Sequence, residues 1–321
     1  MIGCGDVTEL KSGPAFNKVS DSSLVAVMSR SKDKARDYAQ RHHVPKWYDD
    51  ATSLINDPGI NAIYIATPPS SHEAYTIECL TAGKHVYVEK PMSLNSESGV
   101  RMTNASNTNK TKLVVAHYRR EQLIFKKIKQ LLEEKIIGDL RLVTLKYYQT
   151  LLTQKELEVP KTLWRVNPEI SGGGLFHDLA PHQLDLMYYF FGRIDKAYGM
   201  SANQAKIYNS DDIVSGQINF ASGLHFTGNW CFCVPPGEEI DICEIIGSKG
   251  KISFSVFGKP QIKIRKTSRD KTINFKPFQH VQQPMIEKVV KYFLGQSENP
   301  CSGAEASEVM KLIDIFTGKI N

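Results

Sequence analysis

A lysine at the end of a buried strand is the first group in this chain equipped for proton chemistry. Val86-Tyr87-Val88 is a short apolar run after the turn Ala82-Gly83-Lys84, and it leads into Glu89-Lys90-Pro91. Such a run reads as a parallel strand buried on both faces. Pro91 has no amide proton to give to a ladder, so the strand ends there, and the preceding peptide bond can be cis. Lys90 then stands at the carboxyl end of the strand, the edge at which open α/β sheets bind ligands. A lysine held there can exchange a proton with a hydroxyl while a hydride moves elsewhere. An exposed strand-end lysine with no task fits the same spacing.

A second group lies on a helix expected over 175–191. Asp178, His182 and Asp185 fall at i, i+4 and i+7 and share one face. An imidazole titrates near neutrality and suits general acid–base work. Two carboxylates and an imidazole also suit a divalent cation, but nothing else in the chain calls for a metal.

The third feature is Gly3-Cys4-Gly5-Asp6-Val7-Thr8. It matches the first two glycines of a dinucleotide fingerprint, which permit a tight turn and close approach of backbone to pyrophosphate. Thr8 replaces the third glycine, so the following helix is expected to press less closely on the sheet. Gly13-Pro14 predicts a short helix, a break and a restart. Only Met1 and Ile2 precede the motif, where a central strand should stand. The expectation is a first strand that is truncated, with the true start upstream of Met1. The next strand, Leu24-Val25-Ala26-Val27-Met28, ends in Ser29-Arg30-Ser31, with no acid to hold a ribose 2′-hydroxyl. A guanidinium forks onto phosphate, which favours NADP(H) over NAD(H). A polar loop at a helix start explains the same residues equally well.

The elements that must position these groups follow a β/α alternation through the first third of the chain. A strand around Trp47, the buried strand Ala62-Ile63-Tyr64-Ile65-Ala66, the strand before Lys90 and a strand over 113–116 predict a doubly wound parallel sheet. Thr67-Pro68-Pro69-Ser70-Ser71-His72 forms a rigid loop at its carboxyl edge, with Ser70 or Ser71 capping a helix and His72 in its first turn. After Arg120 the pattern changes to long alternating strands near 141–149, 195–204, 213–220, 223–232, 239–246, 249–255 and 261–266. These suit a large, mainly antiparallel open sheet. Gly172-Gly173-Gly174 requires a tight loop or close backbone approach. Amphipathic helices close the chain near 283–294 and 304–317. The expected domains are 1–118, Rossmann-like, and 119–321, an α/β domain for substrate and oligomer contacts.

Composition narrows the classes. With 41% hydrophobic and 23% charged residues the chain is an ordinary globular protein. No run is long enough to span a bilayer. The net charge of +6 is spread out, and the basic residues of 259–276 alternate with apolar ones, as on the wet face of a strand, so no nucleic-acid footprint forms. The six cysteines have no zinc-ligand spacing, and Cys231 and Cys233 read as packing residues. This points to reduced thiols in a cytoplasmic protein.

Taken in order, the motifs resemble the Gfo/Idh/MocA oxidoreductases. The likeness rests on Gly3-Cys4-Gly5, Ala66-Thr67-Pro68-Pro69 with His72, Ala82-Gly83-Lys84, Glu89-Lys90-Pro91, Trp164-Arg165, Gly172-Gly173-Gly174, Asp178 with His182, and Gly247-Ser248-Lys249-Gly250. The resemblance implies NAD(P)-dependent hydride transfer at a hydroxyl of a sugar, polyol or related cyclic diol. Lys90, His182 and Asp178 match the catalytic positions. It implies cofactor contacts from Gly3, Gly5, Asp6, Val7, Thr67, Pro68, His72, Glu89, Lys90 and Arg165; Ser29 and Arg30 join them on the residue reading above, with NADP expected and NAD possible. It places Lys90, Tyr118, Arg119, Asp178 and His182 at the substrate and homo-oligomers at the C-terminal sheet, while the residues themselves call for no metal, nucleic acid or membrane partner. A cofactor-binding sensor without turnover is the alternative on the same fold.

Overall fold

The computed structural model describes residues 1–266 and 270–320. They form two compact units, one of 1–119 with Phe278–Met310, the other of Arg120–Pro277 with Lys311 onward.

The first unit holds a parallel sheet. Its strands are β1 (Ala26–Met28), β2 (Lys46–Tyr48), β3 (Ala62–Ile65), β4 (His85–Val88) and β5 (Leu113–Val115). β1 pairs with β2, and β3, β4 and β5 pair in that order. Ile2 joins the two sets by parallel bridges to Met28 and Ile65. Its amide donates to the Tyr64 carbonyl at 2.8 Å, and its own carbonyl accepts from Ala66 at 2.8 Å. Among the described residues, Met1 and Ile2 thus occupy the central position of the doubly wound order. Ile2 is fully buried.

The glycine turn then opens the helix Asp6–Leu10, and a 3-10 turn over Gly13–Asn17 follows, as the Gly13-Pro14 pair predicts. The close approach expected from a third glycine comes from Gly13 instead. A Cβ there would lie 2.2 Å from Tyr38 Oη and 2.3 Å from the Thr8 carbonyl. Tyr38 donates to that carbonyl at 2.7 Å and pins the helix to its neighbour.

The division at 118/119 does not describe the C-terminal segment. The helix Gln283–Phe293 buries Met285, Ile286 and Val289 in one apolar cluster with Tyr87, Val114 and Tyr118 of the first unit. Apolar periodicity marks which face of a helix is buried and not which partner covers it.

The second unit is built on an eight-stranded sheet. Its strands are β6 (Leu140–Thr150), β7 (Ile194–Ala202), β8 (Ile213–Phe220), β9 (His225–Val234), β10 (Ile240–Gly247), β11 (Gly250–Phe254), β12 (Gln261–Lys266) and β13 (Asp270–Asn274). The order is β13-β12-β11-β10-β6-β9-β8-β7. The β6–β9 pair is parallel and the other pairs are antiparallel. One face carries Trp230, whose indole meets Phe176 of the helix Gly174–Phe191 edge-on at 5.1 Å and donates to Gln183 at 2.6 Å. Alternate positions of β9, such as Thr227 and Asn229, are half-buried on the other face. The basic run of 259–276 spans β12 and β13, with 267–269 outside the described residues.

Candidate active site

In the first unit the site elements gather at the carboxyl edge of the parallel sheet. Gly3 has φ +106°, and a Cβ on it would sit 2.6 Å from the Ala66 carbonyl oxygen, so only glycine lets the turn pass the end of β3. A Cβ on Gly5 would meet nothing within 4 Å. The backbone of Gly5, with Asp6 and Val7 opening the helix, is thus open to an incoming group, as the pyrophosphate of a dinucleotide requires. At the end of β1, Ser29 Oγ accepts from the Ser31 amide at 3.3 Å and Ser31 Oγ caps the next helix at Lys34. Arg30 is exposed beside them.

The loop after β3 is braced from within. Ser71 is positioned to cap, but its hydroxyl turns back to Thr67 Oγ1 at 2.8 Å and the Pro68 carbonyl at 3.0 Å. Thr67 and Pro68 stay half-exposed. His72, expected at the cofactor, is bound on both ring nitrogens by backbone carbonyls. It is fully buried, with Nε2 2.7 Å from the Thr67 carbonyl and Nδ1 3.0 Å from the Pro91 carbonyl. It ties the loop after β3 to the turn after β4 from beneath. Burial pushes its pKa down to about 4.

Lys90 is half-buried at the end of β4, and the Lys90–Pro91 peptide is cis. Glu89, the other acidic group expected at the cofactor, is held by side chains of the first unit. It is buried and accepts from Tyr64 Oη at 2.6 Å and from Gln282 Nε2 at 2.6 Å. Tyr118 is buried, and the half-buried Arg119 places its guanidinium 5.6 Å from the Tyr118 ring centre.

In the second unit the triple glycine opens the helix Gly174–Phe191. Gly172 has φ +94° and Gly174 φ +79°, and a Cβ on Gly174 would strike Ser210 Oγ at 2.0 Å. Both readings of this motif, tight loop and close approach, hold. Asp178 accepts from Arg165 Nε at 3.0 Å, and Arg165 stacks on Trp164 at 4.6 Å. Arg165 is thus engaged with a carboxylate of its own unit. His182, one turn on, is 5% exposed and meets the Phe257 ring edge-on at 5.7 Å. Asp185 lies deeper, in a buried ion pair with Arg120 at 2.7 Å. The three residues share a helix face, but the two carboxylates serve different arginines.

Sequence reasoning missed Phe257, Arg120, Tyr64 and Gln282. Phe257 is held by Asp241, whose carboxylate accepts from the amides of Val256, Phe257 and Gly258 at 3.0, 2.7 and 2.9 Å. No periodic signal links an aspartate on one strand to a loop 15 residues on. Arg120 lay within the Tyr118-Arg119-Arg120 run, and only its burial separates it from Arg119.

Comparison with known proteins agrees with this architecture. Residues 1–117 match the model of the oxidoreductase family with an NAD-binding Rossmann fold, and residues 125–253 match the Gfo/Idh/MocA C-terminal domain. The chain is 44% identical to Oxidoreductase P35 of Formosa agariphila over 318 residues, covering 99% of this chain and 97% of that protein. The chain belongs to the Gfo/Idh/MocA oxidoreductase family. Within it, scyllo-inositol 2-dehydrogenase (NADP+) of Bacillus subtilis is 29% identical over 60% of this chain and 51% of its own length. Among solved folds, levoglucosan dehydrogenase in complex with NADH superposes with a TM-score of 0.88 at 20% identity, over 98% of this chain and 94% of that one. This Gfo/Idh/MocA chain is accordingly an oxidoreductase with a nicotinamide-binding domain. Among its described residues no helix is long and apolar enough to cross a membrane.

Proposed function

We propose that this protein is an NADP(H)-dependent dehydrogenase acting on a hydroxyl or carbonyl of a sugar, polyol or related cyclic diol, with Lys90 and His182 as acid–base groups. The observation that carries the reading is the half-buried Lys90 held at the carboxyl edge of the nicotinamide-binding sheet, two strands from the glycine turn. Relatives named as dehydrogenases of scyllo-inositol, myo-inositol and levoglucosan support the substrate class.

Gly3, Gly5, Asp6 and Val7 would hold the pyrophosphate, and Thr67 and Pro68 the adjoining ribose. Ser29 and Arg30 would receive a 2′-phosphate, since an exposed guanidinium at the end of β1 favours that dianion over a hydroxyl. The bound nicotinamide supplies the partner for hydride exchange with the substrate carbon. The chain's own task is the proton. In oxidation the hydroxyl must lose it, and the His182 imidazole or the Lys90 amine can accept it. In reduction the Lys90 ammonium polarises the carbonyl and His182 returns the proton. Asp178, fixed by Arg165, sets the polar side of the histidine's helix, and Phe257 bars water from one flank of the ring. Tyr118 and Arg119 follow the last strand of the sheet and would contact substrate. The half-buried outer face of the eight-stranded sheet, with Tyr198 and Met200 63% and 72% exposed on its edge strand, suits association of like chains. Six free thiols suit the reducing cytoplasm.

The test is a screen of scyllo-inositol, myo-inositol and levoglucosan with both cofactors, read as absorbance of the reduced nicotinamide. Lys90→Ala and His182→Ala should each lower turnover by about 100-fold or more while cofactor affinity stays close to wild type. Full turnover in both variants would refute the assignment. A protein that binds cofactor and turns over no substrate would be the sensor instead. Arg30→Ala should weaken NADP(H) binding about 10-fold and leave NAD(H) binding nearly unchanged, an expectation of roughly one charge-assisted fork; equal effects on both would assign Arg30 to a polar loop.

A further inference from the structure

Glu89 is a carboxyl group buried at the root of the proposed catalytic lysine, and its partners come from three separate parts of the first unit. Tyr64 of β3 donates to Oε1 at 2.6 Å. Gln282 donates from Nε2 to the same oxygen at 2.6 Å. The amide of Lys90 itself donates to Oε2 at 3.2 Å. Three donors on one group select the carboxylate, which accepts at every lone pair, over the acid, which must give a proton away. Tyr64 keeps its proton for this purpose, because burial and the neighbouring Glu89 charge push its pKa well above the ordinary tyrosine value.

The donors are themselves fixed. Gln282 is fully buried, its backbone N–H donates to the Lys11 carbonyl at 3.2 Å, and its Oε1 accepts from Tyr87 Oη at 3.1 Å. Tyr64 stacks on Tyr87 at 5.1 Å, and its hydroxyl stands 3.0 Å from Ser12 Oγ. Ser12 lies 3.1 Å from the Val7 carbonyl, in the helix that the glycine turn opens. A buried polar network is costly when partly satisfied and rigid when complete. Here it ends on the backbone amide of the residue that carries the chemistry.

We propose that Tyr64 and Gln282 are positioning residues that act through Glu89 to fix the Lys90 backbone, and so the place of its amine, relative to the glycine turn. Neither touches substrate or cofactor. The side chain of Gln282 enters from beyond residue 277, so the C-terminal return of the chain sets the geometry of the N-terminal catalytic turn. This rests on the reading of Lys90 as an acid–base group.

The experiment uses Tyr64→Phe and Gln282→Met, each close in shape to the original and each lacking the donor. Lysines of the whole protein are dimethylated with ¹³C-formaldehyde, and the Lys90 resonance is assigned by its loss in Lys90→Arg. The expected result is a displaced Lys90 resonance in both variants, while thermal unfolding remains cooperative. With scyllo-inositol or levoglucosan as probe, turnover should fall about 10- to 100-fold with little change in the cofactor KM, the signature of misplacement at the reacting centre. Cooperatively folded variants whose Lys90 resonance and turnover match wild type would overturn the proposal. Its failure is separable from that of the functional reading. Undiminished turnover in Lys90→Ala removes the acid–base role and leaves the resonance shift to report position alone.

Discussion

At the scale of single residues, His72 shows how burial decides protonation. Both ring nitrogens face carbonyl oxygens, and an imidazolium would donate to each. A neutral ring has one N–H and satisfies one of them. Full burial opposes the charge, as does a place in the first turn of the helix His72–Thr81, where the helix dipole disfavours a cation. These outweigh the second hydrogen bond, and the pKa falls from 6.5 to about 4. Between those limits the unfolded chain binds a proton that the native chain does not. Stability therefore rises with pH across that window, by up to about 3 kcal/mol at one pKa unit per 1.36 kcal/mol. Urea midpoints measured from pH 7 down to pH 4.5 should fall more steeply for wild type than for His72→Gln, which cannot titrate; parallel slopes would refute this. The sequence placed His72 at the loop after β3 and did not show the two carbonyls that hold its ring. A histidine in a first helical turn is legible, whereas the carbonyls it meets come from Thr67 and Pro91, and the latter lies 19 residues away. The partners of Glu89 were hidden in the same manner, because a strand's alternation does not tell which side chain will meet a buried tyrosine.

At the scale of elements, the helix Gly174–Phe191 was the most legible part of the site. Its length and the shared face of Asp178, His182 and Asp185 follow from a period of 3.6, and the three glycines before it announce a constrained entry. What the spacing left open was which neighbour each carboxylate would find. Gly174→Ala tests the entry. Its φ is +79°, and the new Cβ would meet Ser210 Oγ and Cβ at 2.0 and 2.5 Å. Strain at positive φ and overpacking each cost roughly 1–3 kcal/mol, so the variant should lose several kcal/mol in a denaturant midpoint. A double variant with Ser210→Gly removes the clash and leaves the φ strain. It should recover about half of the loss, and recovery of none would mean that the contact is not what selects glycine.

At the scale of the whole molecule, both layer types were readable: β/α alternation demands a covered parallel sheet, and long alternating strands demand an open one. The ownership of residues 278–310 was not. Their amphipathic helix buries Met285, Ile286 and Val289 in the core of the N-terminal unit. Three such side chains are worth about 1.5–3 kcal/mol each on burial. Their sum, roughly 4.5–9 kcal/mol, is comparable to the whole stability of an ordinary domain, about 5–15 kcal/mol. A fragment ending at 118 should therefore fail to unfold cooperatively, even though it contains every strand of its sheet. In the full chain, Met285→Ala should cost about 2–5 kcal/mol. The neighbouring Glu287→Ala removes an exposed pair with Lys291 and should cost less than about 1 kcal/mol. Thermal and urea unfolding of the two variants separate these outcomes. A fragment of 1–118 that melts as sharply as the full chain would show that the N-terminal unit is complete without its C-terminal helix, and that the long return of the chain serves only the position of Gln282.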